Sequence, residues 1–125
     1  MMAANDAAPC VLLVEDEIMV AMMLEDRLEQ AGYQVLAAAN LDAALTLARD
    51  EAIGVAVLDV NLDGIASFPV ADLLRQRGIP FTFASGYGAE GVPPAYRCES
   101  MLQKPFDTGA LLDVLSRLLD KSRAN

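Results

Sequence analysis

Four short apolar runs set the limits on what this chain can fold into, because each stops at residues that carry chemistry. Val55-Ala56-Val57-Leu58 ends on Asp59, with Asn61 and the turn pair Asp63-Gly64 just beyond. Cys10-Val11-Leu12-Leu13-Val14 ends on Glu15-Asp16-Glu17. Phe81-Thr82-Phe83-Ala84 ends on Ser85-Gly86, and the shorter Met101-Leu102 leads to Lys104-Pro105. The pattern predicts strands near 10–15, 34–38, 54–59, 80–84 and 99–103, alternating with helices near 17–31, 41–51, 68–77 and 107–121. Such alternation specifies an α/β domain, a parallel sheet covered by helices on both faces. Ligands of open α/β sheets bind outside the carboxyl ends of the strands. The polar endings of the four runs therefore gather at one edge.

The 125 residues suit one domain spanning 1–125. A domain of this size buries roughly 68% of its unfolded surface and needs no disulfide or metal to hold a core. A hydrophobic content of 54% excludes a disordered chain. The net charge of −9 argues against nucleic acid or an anionic membrane as a direct partner, both of which require a basic face; plain solubility is the other reading of this acidity. Cys10 and Cys98 form no C-x-x-C pair, which fits two reduced thiols and a cytoplasmic setting. Residues 1–9 have neither the basic nor the apolar region of a signal peptide. No apolar run approaches the ~20 residues of a spanning helix. The chain contains no histidine, which removes Ser-His-Asp and Cys-His catalysis and any phosphohistidine made within it.

Local signals refine the elements. Gly32 and Gly78 stand where helix C-terminal caps are expected, and Asp107 or Thr108 can cap the last helix. Gly86, Gly88, Gly91, Pro93 and Pro94 make a regular helix over 86–96 costly, so a loop or short irregular turn is expected there. On the first helix, Val20, Ala21, Leu24, Leu28 and Ala31 share one face and form the core stripe. Ile18, Met19 and Met22 fall on the opposite arc, with Met23 at the boundary. Exposed methionines suit an adaptable docking surface, and packing at the edge of the core is the alternative. The last helix carries Leu111, Leu112, Val114, Leu115, Leu118 and Leu119, a stripe wide enough to leave monomer and weak dimer both open.

The strand-end chemistry centres on Glu15, Asp16 and Asp59. Carboxylates within ~4–6 Å of one another oppose each other's ionisation, and a hard cation relieves this. Mg²⁺ takes octahedral oxygen ligands, commonly one or two carboxylates plus waters and phosphate. Asp16 and Asp59 can supply the carboxylates and the Asn61 carbonyl a third protein ligand; a solvated acidic edge is the alternative. Pro105 restricts Lys104 to extended backbone, from which its ammonium can pair with Asp59 or a phosphoryl oxygen. Ser85 can donate to the same group.

With these residues in this order, the chain resembles the receiver domains of two-component response regulators over about residues 10–119. The matching positions are Glu15-Asp16, Asp59, Asn61, Ser85 and Lys104-Pro105-Phe106. The resemblance implies a flavodoxin-like, doubly wound five-stranded sheet of order 2-1-3-4-5. It also implies Mg²⁺-dependent phosphoryl transfer to Asp59 from a phosphohistidine of a histidine kinase or histidine phosphotransfer protein. Asp16, Asp59 and the Asn61 carbonyl would bind the metal, Glu15 would act through a water, and Ser85 and Lys104 would hold the phosphoryl oxygens. Three departures stand out: Asp63 where the family usually has proline, Met101 where its fifth strand usually has an aromatic, and a fourth helix that is short or absent. Pro80 to Gly88 is similar to receivers with a Phe-Ala-Thr-Gly-Tyr loop, which makes Tyr87 and Met101 the candidate switch residues. Met19, Met22 and Met23 are the candidate kinase-docking residues. The expected protein is thus a single-domain receiver that is not an enzyme acting on other substrates. It would signal by docking to a downstream protein or pass phosphoryl groups as a shuttle or sink. A phosphorylation-independent adaptor is the alternative. A phosphohydrolase is another, but it would need a second acid at Asn61, where the amide cannot do that work.

Overall fold

The computed structural model describes residues 8–86, 92–96 and 101–124. The chain runs β1 (Cys10–Val14), α1 (Ile18–Gln30), β2 (Gln34–Ala38), α2 (Leu41–Asp50) and β3 (Val55–Asp59). Two very short strands follow, β4 (Asn61–Leu62) and β5 (Ile65–Ala66), then α3 (Phe68–Gln76) and β6 (Phe81–Ser85). A single 3₁₀ turn over Pro94–Tyr96 precedes β7 (Leu102–Gln103) and α4 (Thr108–Ala124).

The main sheet has five strands in the order β2-β1-β3-β6-β7. Every pairing within it is parallel, with Leu12 beside Ala56, Leu58 beside Phe83 and Ser85 beside Gln103. Counting only its own strands along the chain, this is the order 2-1-3-4-5 that the resemblance implied. Successive strand side chains point to opposite faces, so each apolar run feeds two cores. Leu12, Val14, Ala56, Leu58 and Phe83 pack with Ala44, Ala48, Val70 and Leu74 of α2 and α3. Val11, Leu13, Val55 and Val57 pack with Leu24, Leu28, Leu111 and Leu115 of α1 and α4. Burial on both faces is why β1 and β3 read as continuous apolar runs rather than alternating ones.

The caps agree with local chemistry. Asn40 Oδ1 accepts the Ala43 N–H at 2.8 Å to start α2, and Asp107 Oδ1 accepts the Ala110 N–H at 2.7 Å to start α4. Gly32 and Gly78 follow α1 and α3 with positive φ. One residue of the expected α1 stripe is corrected. Ala31 is exposed: as the C-cap it keeps helical backbone, but it lies past the last turn that the core covers.

The β4–β5 hairpin is not foreseen by the sequence reading, although its turn is. Asp63 and Gly64 take φ of 54° and 89°, the consecutive positive values that a two-residue hairpin turn demands. The Asn61 side chain closes the turn by accepting the Gly64 N–H at 2.6 Å. The expected strand over 99–103 is short, with only Leu102–Gln103 paired among the described residues. Between Ser85 and Leu102 the described residues contain no α-helix. The 3₁₀ turn at Pro94–Tyr96 is the short irregular turn that the glycines and prolines predict.

Candidate functional site

Each strand of the sheet centre delivers a polar group to the same edge. β1 runs into Glu15, whose N–H continues the ladder to the Ala38 carbonyl at 3.1 Å. Asp59 is the last residue of β3 and Ser85 the last of β6. Lys104 follows β7, its N–H donating to the Ser85 carbonyl at 2.8 Å. The sheet thus places Lys104 against Ser85 and, through the β3–β6 pairing, near Asp59. The Lys104–Pro105 peptide bond is cis.

The side chains converge on a compact charge cluster. Lys104 Nζ donates to Glu15 Oε2 at 3.0 Å and to Asp59 Oδ2 at 3.2 Å. Glu15, Asp59 and Ser85 are buried and Asp16 is half-buried. The other Glu15 oxygen, Oε1, accepts the Glu17 N–H at 3.1 Å, which orients this carboxylate at the start of α1. One oxygen from each of Glu15, Asp16 and Asp59 can be chosen so that all lie within 4.8 Å of one another. Three carboxylates against one ammonium leave the cluster short of positive charge. It could hold a metal ion.

The electrostatics follow from that imbalance. Burial, and then the neighbouring Glu15 carboxylate, push the Asp59 carboxyl up to about 6. Lys104 and the Asn61 N–H oppose this only in part. Burial acts to lower the Lys104 ammonium, but its hydrogen bond to Glu15 and its attraction to Asp59 outweigh it and hold the group above its ordinary value. Lys104 is therefore charged at neutral pH, and Asp59 is mostly ionised and poorly compensated.

Beside Asp59 lies a cleft of about 330 Å³ lined by Val60, Asn61, Gly64, Ala66, Phe68, Ser85 and Gly86. The hairpin and Phe68 form its outer wall, which the sequence reading did not include. A signal was present in Asp63-Gly64 and in an aromatic placed directly before Pro69 at the start of a helix. A second groove, of about 340 Å³, lies between Val20, Met23 and Leu24 of α1 and the Lys104-Pro105-Phe106 segment.

The structure brings Glu15, Asp16, Asp59, Ser85 and Lys104 to one edge, with Asn61 at the cleft rim. Met101 is half-buried and packs against the core on the α2–α3 side. Tyr87 lies outside the described residues. Ile18, Met19, Met22 and Met23 are exposed by 68, 83, 64 and 49%, so they stand clear of the core.

A family profile described as the response regulator receiver domain matches residues 11–116. The chain belongs to this receiver domain family. Among curated relatives, the response regulator protein FleR of Pseudomonas aeruginosa is 34% identical over 112 residues, covering 86% of this chain and 24% of FleR. The chain thus spans about a quarter of that relative's length. The polar-differentiation response regulator DivK of Brucella anthropi is 24% identical and is covered over 94% of its length, with 87% of this chain aligned. In structure, SdrG from Sphingomonas melonis Fr1 superposes with a TM-score of 0.78 at 40% identity, covering 94% of this chain and 99% of SdrG. Receiver domains are signalling modules rather than enzymes that turn over external substrates. Among the described residues, no helix of this receiver is long and apolar enough to cross a membrane.

Proposed function

We propose that this receiver accepts a phosphoryl group on Asp59. The observation that carries the reading is the Asp59 carboxylate itself: buried at a strand end, 3.2 Å from Lys104 Nζ, and opening on a cleft that Ser85 also lines. The chain has no histidine, so the donor phosphohistidine belongs to a partner, a histidine kinase or a histidine phosphotransfer protein. An ionised Asp59 oxygen attacks phosphorus, the phosphorus–nitrogen bond breaks, and the imidazole leaves with the bonding pair. With its carboxyl at about 6, Asp59 is ionised in most molecules at pH 7 even before a cation binds, as the attacking oxygen must be. Lys104, already held between Glu15 and Asp59, turns its ammonium to the phosphoryl oxygens, and Ser85 donates to another.

Asp16, Asp59 and the Asn61 carbonyl would hold Mg²⁺ directly, with Glu15 contributing through a water. The fit rests on the oxygen-only donor set and its unmatched negative charge. The bound ion supplies positive charge against the phosphoryl oxygens. The exposed methionines of α1 and the adjoining groove by Pro105-Phe106 flank the site, and there the donor protein docks. Output follows by contact with a downstream protein or by passing the phosphoryl group on. A phosphohydrolase reading is disfavoured, because the Asn61 side chain is engaged in the hairpin turn and carries no acid.

The test is incubation with acetyl phosphate or phosphoramidate and Mg²⁺. One phosphoryl group should appear in an acid-resistant, base-labile linkage, and Asp59→Asn should take up none. Equal labelling of Asp59→Asn and the parent protein would overturn the assignment. Absence of any labelling would favour the adaptor reading.

A further inference from the structure

Five side chains form a closed circuit of ring contacts beside the Asp59 cleft. Phe68 lines the cleft together with Asp59 and Ser85. Its ring meets Phe83 edge-on, centroids 5.7 Å apart at 86°, and stacks flat on Tyr96 at 4.6 Å and 11°. The Arg75 guanidinium carbon lies 5.4 Å from the Tyr96 centroid and 5.8 Å from that of Phe81. Phe81 closes the circuit by meeting Phe83 edge-on at 5.5 Å. The Tyr96 hydroxyl also donates to Asp72 Oδ2 at 3.4 Å.

The two neighbours of Phe68 differ in how far they can yield. Phe83 is wholly buried in the sheet core, and a close-packed core does not give way to a displaced ring. Tyr96 is half-buried on a single 3₁₀ turn, closed by its own N–H to the Pro93 carbonyl at 2.9 Å. A group that enters the cleft and presses on Phe68 therefore moves Tyr96 rather than Phe83. Conversely, loss of the Tyr96 ring removes the outer support of Phe68 and widens the access of water to the cleft.

We propose that Tyr96 is a positioning residue of the phosphoryl site: stacked on Phe68 and covered by Arg75, it holds the outer wall of the cleft and passes the cleft's occupancy to the Arg75–Tyr96 surface. This inference rests on the reading of Asp59 as phosphoacceptor. Coupling between two sites is reciprocal, and each direction has its own measurement.

The protein is labelled with 3-fluorotyrosine, its three tyrosines are assigned by single Tyr→Phe changes, and fluorine NMR spectra are recorded with and without beryllofluoride and Mg²⁺. The Tyr96 resonance should shift on addition, while that of Tyr33, at the opposite end of the sheet near Pro9 and Gly32, stays in place. Separately, the acyl phosphate of Tyr96→Ala should hydrolyse faster by about threefold to tenfold, the factor by which one stacked ring shifts an equilibrium. Tyr96→Phe keeps the ring and should keep the parent rate. Arg75→Gln, at an exposed position that leaves the core intact, should change the rate in the same direction by less, and it serves if Tyr96→Ala does not fold. An adduct that forms without moving Tyr96, or Tyr96→Ala hydrolysing at the parent rate, overturns the inference and leaves the phosphoacceptor reading standing. Failure of beryllofluoride to bind, with no labelling at Asp59, brings down the phosphoacceptor reading first and this inference with it.

Discussion

Asp59 and Lys104 carry opposite energetic signs in the resting protein. Asp59 is raised to about 6 from an ordinary 3.8, so the folded state favours its protonated form. That favour is fully present below about pH 4 and is lost as pH rises through about 6. The ionised carboxylate then costs the fold on the order of 2–3 kcal/mol at pH 7. Asp59→Asn in metal-free buffer should therefore raise stability by up to that amount at pH 7, with the gain fading below pH 6 and gone by about pH 4. Urea midpoints across this range check it; a gain independent of pH would mean that charge is not its source. Lys104→Met should act the other way, because it leaves Glu15 and Asp59 without their shared cation. A loss of about 2–3 kcal/mol at pH 7 is expected, below the ~3–5 kcal/mol for breaking a fully buried ion pair, since Lys104 retains some contact with water.

Helix termini decide the element scale. Ser67 occupies the N-cap position of α3, where a serine hydroxyl ordinarily stabilises by about 1 kcal/mol. Here the side chain makes no cap bond, its φ and ψ of −88° and 8° are not those of a capping residue, and its Oγ is buried without a partner. Ser67→Ala should therefore cost less than about 0.5 kcal/mol or be slightly stabilising, in contrast to Asn40→Ala at the start of α2, expected to cost about 1 kcal/mol. Paired thermal melts of the two variants make the comparison. On α1, the exposed methionines predict docking rather than stability. Met19→Glu should slow phosphotransfer from the cognate kinase at least several-fold and leave acetyl phosphate labelling and melting temperature unchanged. Equal losses in both transfer reactions would place Met19 in the fold or the site instead.

At the scale of the whole molecule, a cation bound at the proposed site would be linked to the stability of the fold. A ligand that binds only the folded state adds about 1.4 kcal/mol at ten times its Kd. In a domain of this size that corresponds to a rise in melting temperature on the order of 4–6 °C. Saturating Mg²⁺ should produce this shift in the parent protein. Asp16→Asn should abolish most of it and, by removing one repelling charge from the Glu15–Asp16–Asp59 cluster, should raise the metal-free melting temperature. A melting curve unmoved by about 10 mM Mg²⁺, a concentration expected to fill a site of two direct carboxylate ligands, would count against the metal.

The sequence by itself determined the layered sheet and the edge at which polar groups collect. Strands buried on both faces are apolar almost throughout, so β1 and β3 are visible as unbroken runs and β6 as a run interrupted only by the buried Thr82, and the residue ending each run is placed by the strand before it. Asp59, Glu15 and Ser85 are legible for that reason, and Lys104 because proline follows it. What the tertiary structure decided depends on contacts between segments distant along the chain. Lys104 bridges Glu15 and Asp59 across 89 and 45 positions, which no local pattern encodes. Ala31 looked like a core residue by helical phase and keeps that phase, but it lies past the last turn that the core covers. The Asp63-Gly64 turn was readable from its two positive-φ positions, yet the hairpin around it was not, because two-residue strands are too short to show a period. Phe68, Tyr96 and Arg75 are unremarkable in order along the chain. They meet only because α3 and the 3₁₀ turn are folded against the same side of β6.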